Sequence, residues 1–207
     1  MARRLLKELE RSYGFDEVAI VPGDITINPE MASTKMNIGN FSFEAPILAS
    51  AMDGAVSPKF AGLMHEMGGL GVLNAEGLYT RYEDPYSVLE EITSMPQSEV
   101  TKYLQQVYTQ PIQDHLIGER VQEVKSSGAV CAVSFTPQNT KRMSPMAVEA
   151  GADIIFVQST VTTARHMSRS YKGLIFSDLI ESLKVPIAVT YTHLRAHETL
   201  RNLVCRL

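Results

Sequence analysis

Residues 45–76, APILASAMDGAVSPKFAGLMHEMGGLGVLNAE, carry the clearest pattern in the chain. An apolar run from Pro46 to Ala49 ends in Ser50-Ala51-Met52-Asp53-Gly54, small and polar residues that expose backbone at a turn. Ser57 then offers an N-cap, with Pro58 at the first helical position. Phe60, Ala61, Met64 and Met67 recur at helical spacing and predict one apolar helix face. Gly68-Gly69 ends that helix, and Leu70 to Leu73 begins a second buried strand. Strand, loop, helix and strand make one βαβ unit. Its loop lies at the carboxyl end of the first strand, the edge at which parallel α/β folds bind ligands.

The pattern before and after this unit extends it. Residues 3–10 predict a short amphipathic helix, Asp16 to Val21 an extended segment, and Val21-Pro22-Gly23-Asp24 a turn. Residues 25–44 alternate weakly, with Phe41 and Phe43 on one side of a short strand expected to cover one end of the fold. The first two strands of the sheet are expected at Pro46 to Ser50 and Gly71 to Asn74. Asp84-Pro85 opens a helix whose core face is Val88, Leu89 and Ile92, and helical stretches near 98–107 and 111–126 follow. A third strand is expected at Ala129 to Ser134, a helix at Pro137 to Ala150 closing on Gly151, and a fourth strand at Asp153 to Gln158. A loop at Ser159 to Thr163, a helix near Ser177 to Leu183 and a strand at Val185 to Val189 complete the series. Strands alternating with helices at these intervals argue for a parallel sheet.

The 207 residues are enough for one domain with a sizeable core. With 44% hydrophobic and 20% charged residues, the composition is that of an ordinary globular protein. A net charge of −4 gives no reason to expect a nucleic acid or an anionic membrane as partner. No apolar run reaches the roughly 20 residues of a membrane span. Cys131 and Cys205 are the only cysteines and make no disulfide framework, so a reducing cytoplasm is expected.

Ser50-Ala51-Met52-Asp53 after the first strand and Gly68-Gly69-Leu70-Gly71-Val72 entering the second follow Tyr13-Gly14-Phe15-Asp16-Glu17-Val18 and Val21-Pro22-Gly23. In that order the motifs resemble the inosine monophosphate (IMP) dehydrogenase and GMP reductase family, closest to its IMP-dehydrogenase-related subfamily without the regulatory insert. The resemblance spans about residues 12 to 189. It implies a TIM (β/α)8 barrel truncated after about five strands, where a closed barrel has eight. Residues 1–44 would lead into the barrel and residues 45–189 would form the part of it present. The main enzymes insert a pair of CBS modules between the second and third strands. That stretch is too short and too helical here, so the modules are expected to be absent.

The resemblance also implies NAD-dependent oxidation of IMP to xanthosine monophosphate, in guanine nucleotide synthesis, by a homo-oligomer. A monovalent cation is compatible with the full-length enzyme. In the family a cysteine on the loop after the sixth strand attacks C2 of IMP, hydride passes to NAD, and water hydrolyses the adduct. That loop lies beyond the five strands, so no catalytic residue is assigned and this chain alone is expected to be inactive. An open, apolar sheet edge is also an aggregation risk.

By position, Ser50 and Met52 match the family's nucleotide-contacting turn, and Asp53 and Gly54 shape it. From the residues alone, Met52 is also a core residue and Ser50 a strand-end cap. Asn74 stands where the main enzymes carry a histidine near the cofactor's adenosine; a loop-capping asparagine is the alternative. Gln158-Ser159-Thr160 ends the fourth strand where the main family has Asp-Ser-Ser facing the nicotinamide ribose. Gln158 keeps the hydrogen bonding and removes a charge. That departure leaves NAD or NADP open, and with it a GMP reductase-type enzyme or a non-catalytic nucleotide-binding paralogue.

Cys131, among Val130, Ala132 and Val133, reads as a small buried hydrophobe. His65 and His115 have no ligand partners at useful spacing, and His166 with Arg165 and Arg169 marks either a phosphate contact or a solvated loop. Thr190 to Leu207 lacks the glycines and asparagine with which the family continues. Tyr191 to Thr199 match the translation of a transposase-type sequencing adapter, and Leu203 to Leu207 match its next segment in the same frame. Residues 190–207 are therefore expected to be an adapter-derived, non-native tail. On that reading His193, His197 and Cys205 are neither metal ligands nor nucleophile, and no metal site is expected.

Overall fold

The computed structural model describes residues 13–14, 16–159 and 173–190. The helix expected over residues 3–10, together with Thr160, Arg165, His166, Arg169 and the tail from Tyr191, lies outside the described residues. Contacts divide the chain after Ser33. In the first unit Glu17 N–H donates to Gly14 O at 3.0 Å, and Gly14 N–H to the Glu17 carboxylate at 2.9 Å. A single 3-10 turn forms at Pro29–Met31, and Val18, Ile20, Val21, Ile25 and Ile27 are exposed.

The second unit opens with an antiparallel hairpin, β1 (Met36–Ile38) and β2 (Phe41–Phe43). There follow β3 (Leu48–Ala49), α1 (Pro58–Glu66), β4 (Leu70–Asn74), α2 (Pro85–Ser94), α3 (Gln97–Val107) and α4 (Asp114–Ser126). Next come β5 (Ala132–Phe135), α5 (Pro137–Glu149), β6 (Ile154–Gln158), α6 (Phe176–Ser182) and β7 (Ile187–Thr190). β3 to β7 pair in chain order, every pair parallel, as a curled five-stranded half-barrel of the TIM type. Local chemistry sets the joints. The Ser57 hydroxyl accepts from Phe60 N–H at 3.0 Å, and the Asp84 carboxylate accepts from Tyr86 and Ser87 N–H, so both expected helix starts form. Gly68, at φ +82°, closes α1 in the left-handed region that a side chain resists.

Period-two alternation sorts the strand residues into two cores. Leu73, Val133, Phe135, Ile155 and Val157 face the helices, with Ile117, Val121, Met143 and Ala147. Leu70, Val72, Ala132, Ile154 and Phe156 face the concave side, where Phe43 joins them and Met36, Ile38 and Phe41 pack against the cluster. The hairpin thus covers the amino end of the half-barrel, as the sequence predicts. β3 is two residues long, not the five expected, and within the sheet it pairs only with β4. Ile47 and Leu48 beside that edge and Val189 on β7 stay exposed.

The apolar face expected on α1 is corrected. Pro58, Ala61 and Gly62 are the buried residues, whereas Phe60 is 37% and Met67 79% exposed. Small residues let α1 lie directly on β4, and its larger apolar side chains turn outward. α2 buries only Pro85 fully; Val88, Leu89 and Ile92 are half-buried. Among the described residues no helix is long and apolar enough to cross a membrane.

Candidate functional site

The concave face changes character toward the carboxyl ends of the strands. Two residues beyond Val72, Ala132 and Phe156 stand Asn74, Ser134 and Gln158, which alternation places on the same face. Asn74 is in register with Ser134, and the Ser134 hydroxyl donates to Gln158 Oε1 at 3.1 Å. Asn74 Oδ1 accepts from Glu76 N–H at 3.1 Å, so this residue does cap its loop. The result is an uncharged tier of two half-buried amides and a buried hydroxyl above an apolar floor. Ser134 is missed by sequence reasoning as a site residue; its one signal is a polar residue two positions after Ala132 in an apolar strand.

The Ser50–Gly54 turn follows β3 at the same end of the sheet. It is closed by its own backbone: Met52 N–H donates to Ser50 O at 2.8 Å, and Ala55 and Val56 N–H both donate to Met52 O at 2.9 Å. Ser50, Met52 and Gly54 are exposed. Asp53 turns inward instead. Its Oδ2 accepts from Leu78 N–H at 2.7 Å and from the Tyr108 hydroxyl, while Oδ1 is buried without a partner. A Cβ on Gly77 would overlap this carboxylate, so glycine is required there by close approach. Ser159 follows Gln158 and is half-buried; Thr160 lies outside the described residues.

The loops around the tier hold one another. The Glu76 carboxylate accepts from Thr136 N–H at 2.5 Å, from the Thr136 hydroxyl and from Asn139 Nδ2 at 2.8 Å. This anion occupies the amino end of α5, so that helix terminus is already satisfied internally. Arg81 donates to Glu76 O at 3.1 Å and to Gln110 O, and its guanidinium lies 5.6 Å over the Tyr108 ring. These contacts join residues far apart in sequence, and no local pattern announces them.

Cys131 is fully buried just before β5, and burial pushes its thiol up to about 12, so it is a core residue and no thiolate nucleophile. His115 pairs with Glu83 at 2.8 Å on the surface. Among the described residues no group of three or more His, Cys, Asp or Glu is placed to hold a metal ion. A cavity of about 310 Å³, lined by Gly39, Asn40, Asp153, Lys184 and Pro186 among others, involves none of the sequence-predicted site residues.

Residues 12–175 match the model of the IMP dehydrogenase / GMP reductase domain. The chain belongs to the IMP dehydrogenase / GMP reductase family. Within that family it is 32% identical, over 86% of its length and 48% of the relative's, to a Mycolicibacterium smegmatis protein described as an uncharacterized oxidoreductase. Over a shorter stretch, 33% of this chain and 14% of the relative, it is 33% identical to an inosine-5'-monophosphate dehydrogenase of Korarchaeum cryptofilum. It also superimposes on the crystal structure of an IMP dehydrogenase/GMP reductase-like protein from Corynebacterium glutamicum. The TM-score is 0.78 at 30% identity, covering 87% of this chain and 48% of that one. This family member spans about half the length of the uncharacterized oxidoreductases it matches.

Desolvation raises the Asp53 carboxyl above its ordinary value, outweighing the hydrogen bonds from Tyr108, Leu78 and the Asn74 side chain and the charge of Arg81. A carboxylate pKa raised by folding contributes stability that is full below the unfolded value and is lost as pH rises through the folded one. Asp53→Asn removes that dependence. The melting temperature of the wild type should therefore fall relative to Asp53→Asn as pH is raised from about 4 toward neutrality. Parallel melting curves of the two proteins across that window would contradict the assignment.

Proposed function

We propose that this half-barrel is the purine-nucleotide-binding part of an NAD-dependent oxidoreductase of the IMP dehydrogenase type, with IMP as substrate. The observation that carries the reading is the neutral polar tier of Asn74, Ser134 and Gln158 beside the exposed Ser50–Gly54 turn, at the carboxyl ends of parallel strands. Ser50 and Met52 are the residues offered to the nucleotide; Asp53 and Gly54 shape their turn. The donor set suits NAD: the Gln158 oxygen takes the Ser134 hydroxyl, which leaves its amide N–H groups for ribose hydroxyls. With Asn74, Ser159 and Thr160 these residues would hold the cofactor, which supplies the hydride-accepting ring. The chain's own residues bind and orient; the nucleophile belongs to a part of the barrel beyond the strands described here. A cytoplasmic homo-oligomer is part of the same proposal. GMP reductase-type chemistry is the neighbouring reading, and Gln158 in place of a carboxylate favours a non-catalytic paralogue as the second.

Calorimetric titration of IMP into this chain tests the binding reading. Saturable binding is expected, weakened about tenfold in Ser50→Ala by loss of one hydrogen bond. Absence of binding, or an affinity indifferent to Ser50→Ala and Gln158→Ala alike, would remove the tier and turn as a nucleotide site. Titration with GMP separates the reductase reading.

A further inference from the structure

The stretch between β4 and β5 holds two helices, α2 and α3, beyond the single crossover that α4 provides. Together α2 and α3 bury only Pro85 and Val107 fully; they lie on the half-barrel as an arm, touching its core from outside through Leu89. What ties the arm down is specific. Tyr108, the residue that ends α3, donates its hydroxyl to Asp53 Oδ2 in the Ser50–Gly54 turn. Arg81 donates to Gln110 O and stacks on the Tyr108 ring, and the Tyr82 hydroxyl donates to Val107 O at 3.1 Å. The far end of the arm is held by Arg120, which donates to Glu83 O at 2.9 Å just before the Asp84 cap.

We infer that Tyr108 is a positioning residue for the nucleotide turn, acting through Asp53, so that docking of the α2–α3 arm and the conformation of residues 50–54 are coupled. The geometry is that of a latch. Asp53 Oδ2 receives one hydrogen bond from the β4–α2 loop, at Leu78, and one from the arm, at Tyr108. A Cβ on Gly77 would overlap the carboxylate, so the glycine leaves the room that this inward position of Asp53 needs. Because Asp53 turns inward and its second oxygen is buried, it meets no ligand itself; it fixes the two exposed neighbours, Ser50 and Met52, that do. The tyrosine stays a donor throughout the physiological range, since burial and the adjacent Asp53 charge both raise its pKa. A hydrogen bond from a neutral hydroxyl to a charged carboxylate is among the stronger kinds, enough to bias a short turn between ordered and open forms.

The inference rests on the nucleotide reading for its function, though not for its test. Tyr108→Phe keeps the ring over Arg81 and deletes only the donor. Amide hydrogen exchange followed by mass spectrometry should then show about tenfold faster exchange in residues 50–57 and in the arm, 95–110, with β5 and β6 unchanged. Calorimetry should show IMP bound several-fold more weakly. Tyr108→Phe added to Asp53→Ala should add nothing to the exchange effect of Asp53→Ala alone, because that change has already removed the acceptor of the Tyr108 hydroxyl. Unchanged exchange at 50–57 in Tyr108→Phe overturns the latch, whatever IMP does. Faster exchange there in a chain that binds no IMP leaves the latch standing and defeats the nucleotide reading instead.

Discussion

Replacing Arg120 by leucine should remove about 3 kcal/mol of folding stability, a large share of what a domain of this size possesses. Arg120 is only 7% exposed, on the inner side of α4. Its Nε donates to Tyr79 O at 2.9 Å and one terminal nitrogen to Glu83 O at 2.9 Å; the other meets Glu123. The partner on Glu123 contributes little, since that side chain reaches solvent. The two carbonyls decide the magnitude. Each belongs to the loop after β4, and a leucine would leave the Tyr79 carbonyl without a donor where little water reaches and take a donor from the partly buried Glu83 carbonyl. Lysine cannot span both acceptors, so Arg120→Lys should recover only part of the loss. The internal control is Arg142, on α5, which pairs with Asp114 at 2.7 Å with both side chains about half exposed. Arg142→Leu should cost no more than about 1 kcal/mol. Urea midpoints of the three variants measure the ranking, and an Arg120→Leu midpoint at the wild-type value would contradict it.

The same loop shows where sequence reasoning stops. Helix starts are legible because a cap acts over three residues: Ser57 meets Phe60, and Asp84 meets Ser87. The end of α1 is legible because Gly68 takes a backbone angle that few other residues tolerate. Strand order follows from alternating strands with helices, and the hairpin's position follows from Phe41 and Phe43. The inward carboxylate of Asp53 was not legible: its partner Tyr108 lies 55 residues away, and Glu76 reaches Thr136 across 60. The length of β3 is likewise not legible: two residues pair with β4 where the apolar run suggests five. The face of α1 was misjudged because periodicity ranks residues by hydrophobicity, whereas this interface is chosen by size.

Asn74 illustrates both halves. Its place at a strand end could be read, and so could its two candidate roles, a loop cap and a cofactor contact. Only the fold shows that one role is filled, through Glu76 N–H, by the oxygen alone. The amide nitrogen also hydrogen-bonds the Asp53 carboxyl, and its second N–H is left for the tier. A cap and a binding residue are therefore compatible in one side chain, because an amide carries an acceptor and donors at separate atoms.

Size selection on α1 sets the second large effect. Gly71→Ala on β4 should cost about 3 kcal/mol although it adds a single methyl group. A Cβ there would lie 2.8 Å from the Ala61 Cα, 3.1 Å from the Ala61 Cβ and 3.5 Å from Val56 Cγ1. The nearest obstacle is backbone, which no rotamer change relieves. Ala61 and Val56 are themselves buried, so the helix cannot tilt away without opening the core. Ala61→Gly in the same chain removes the methyl and leaves the Cα, so it should restore less than half of the loss; full rescue would mean that the side-chain contact was the cause. The consequence reaches the site, because the N-cap of α1, Ser57, lies three residues after Gly54 and the helix starts at Pro58. Displacing the helix displaces the turn that presents Ser50 and Met52. Gly71→Ala should thus weaken IMP binding as well as shift the denaturation midpoint, whereas Arg142→Leu should change neither.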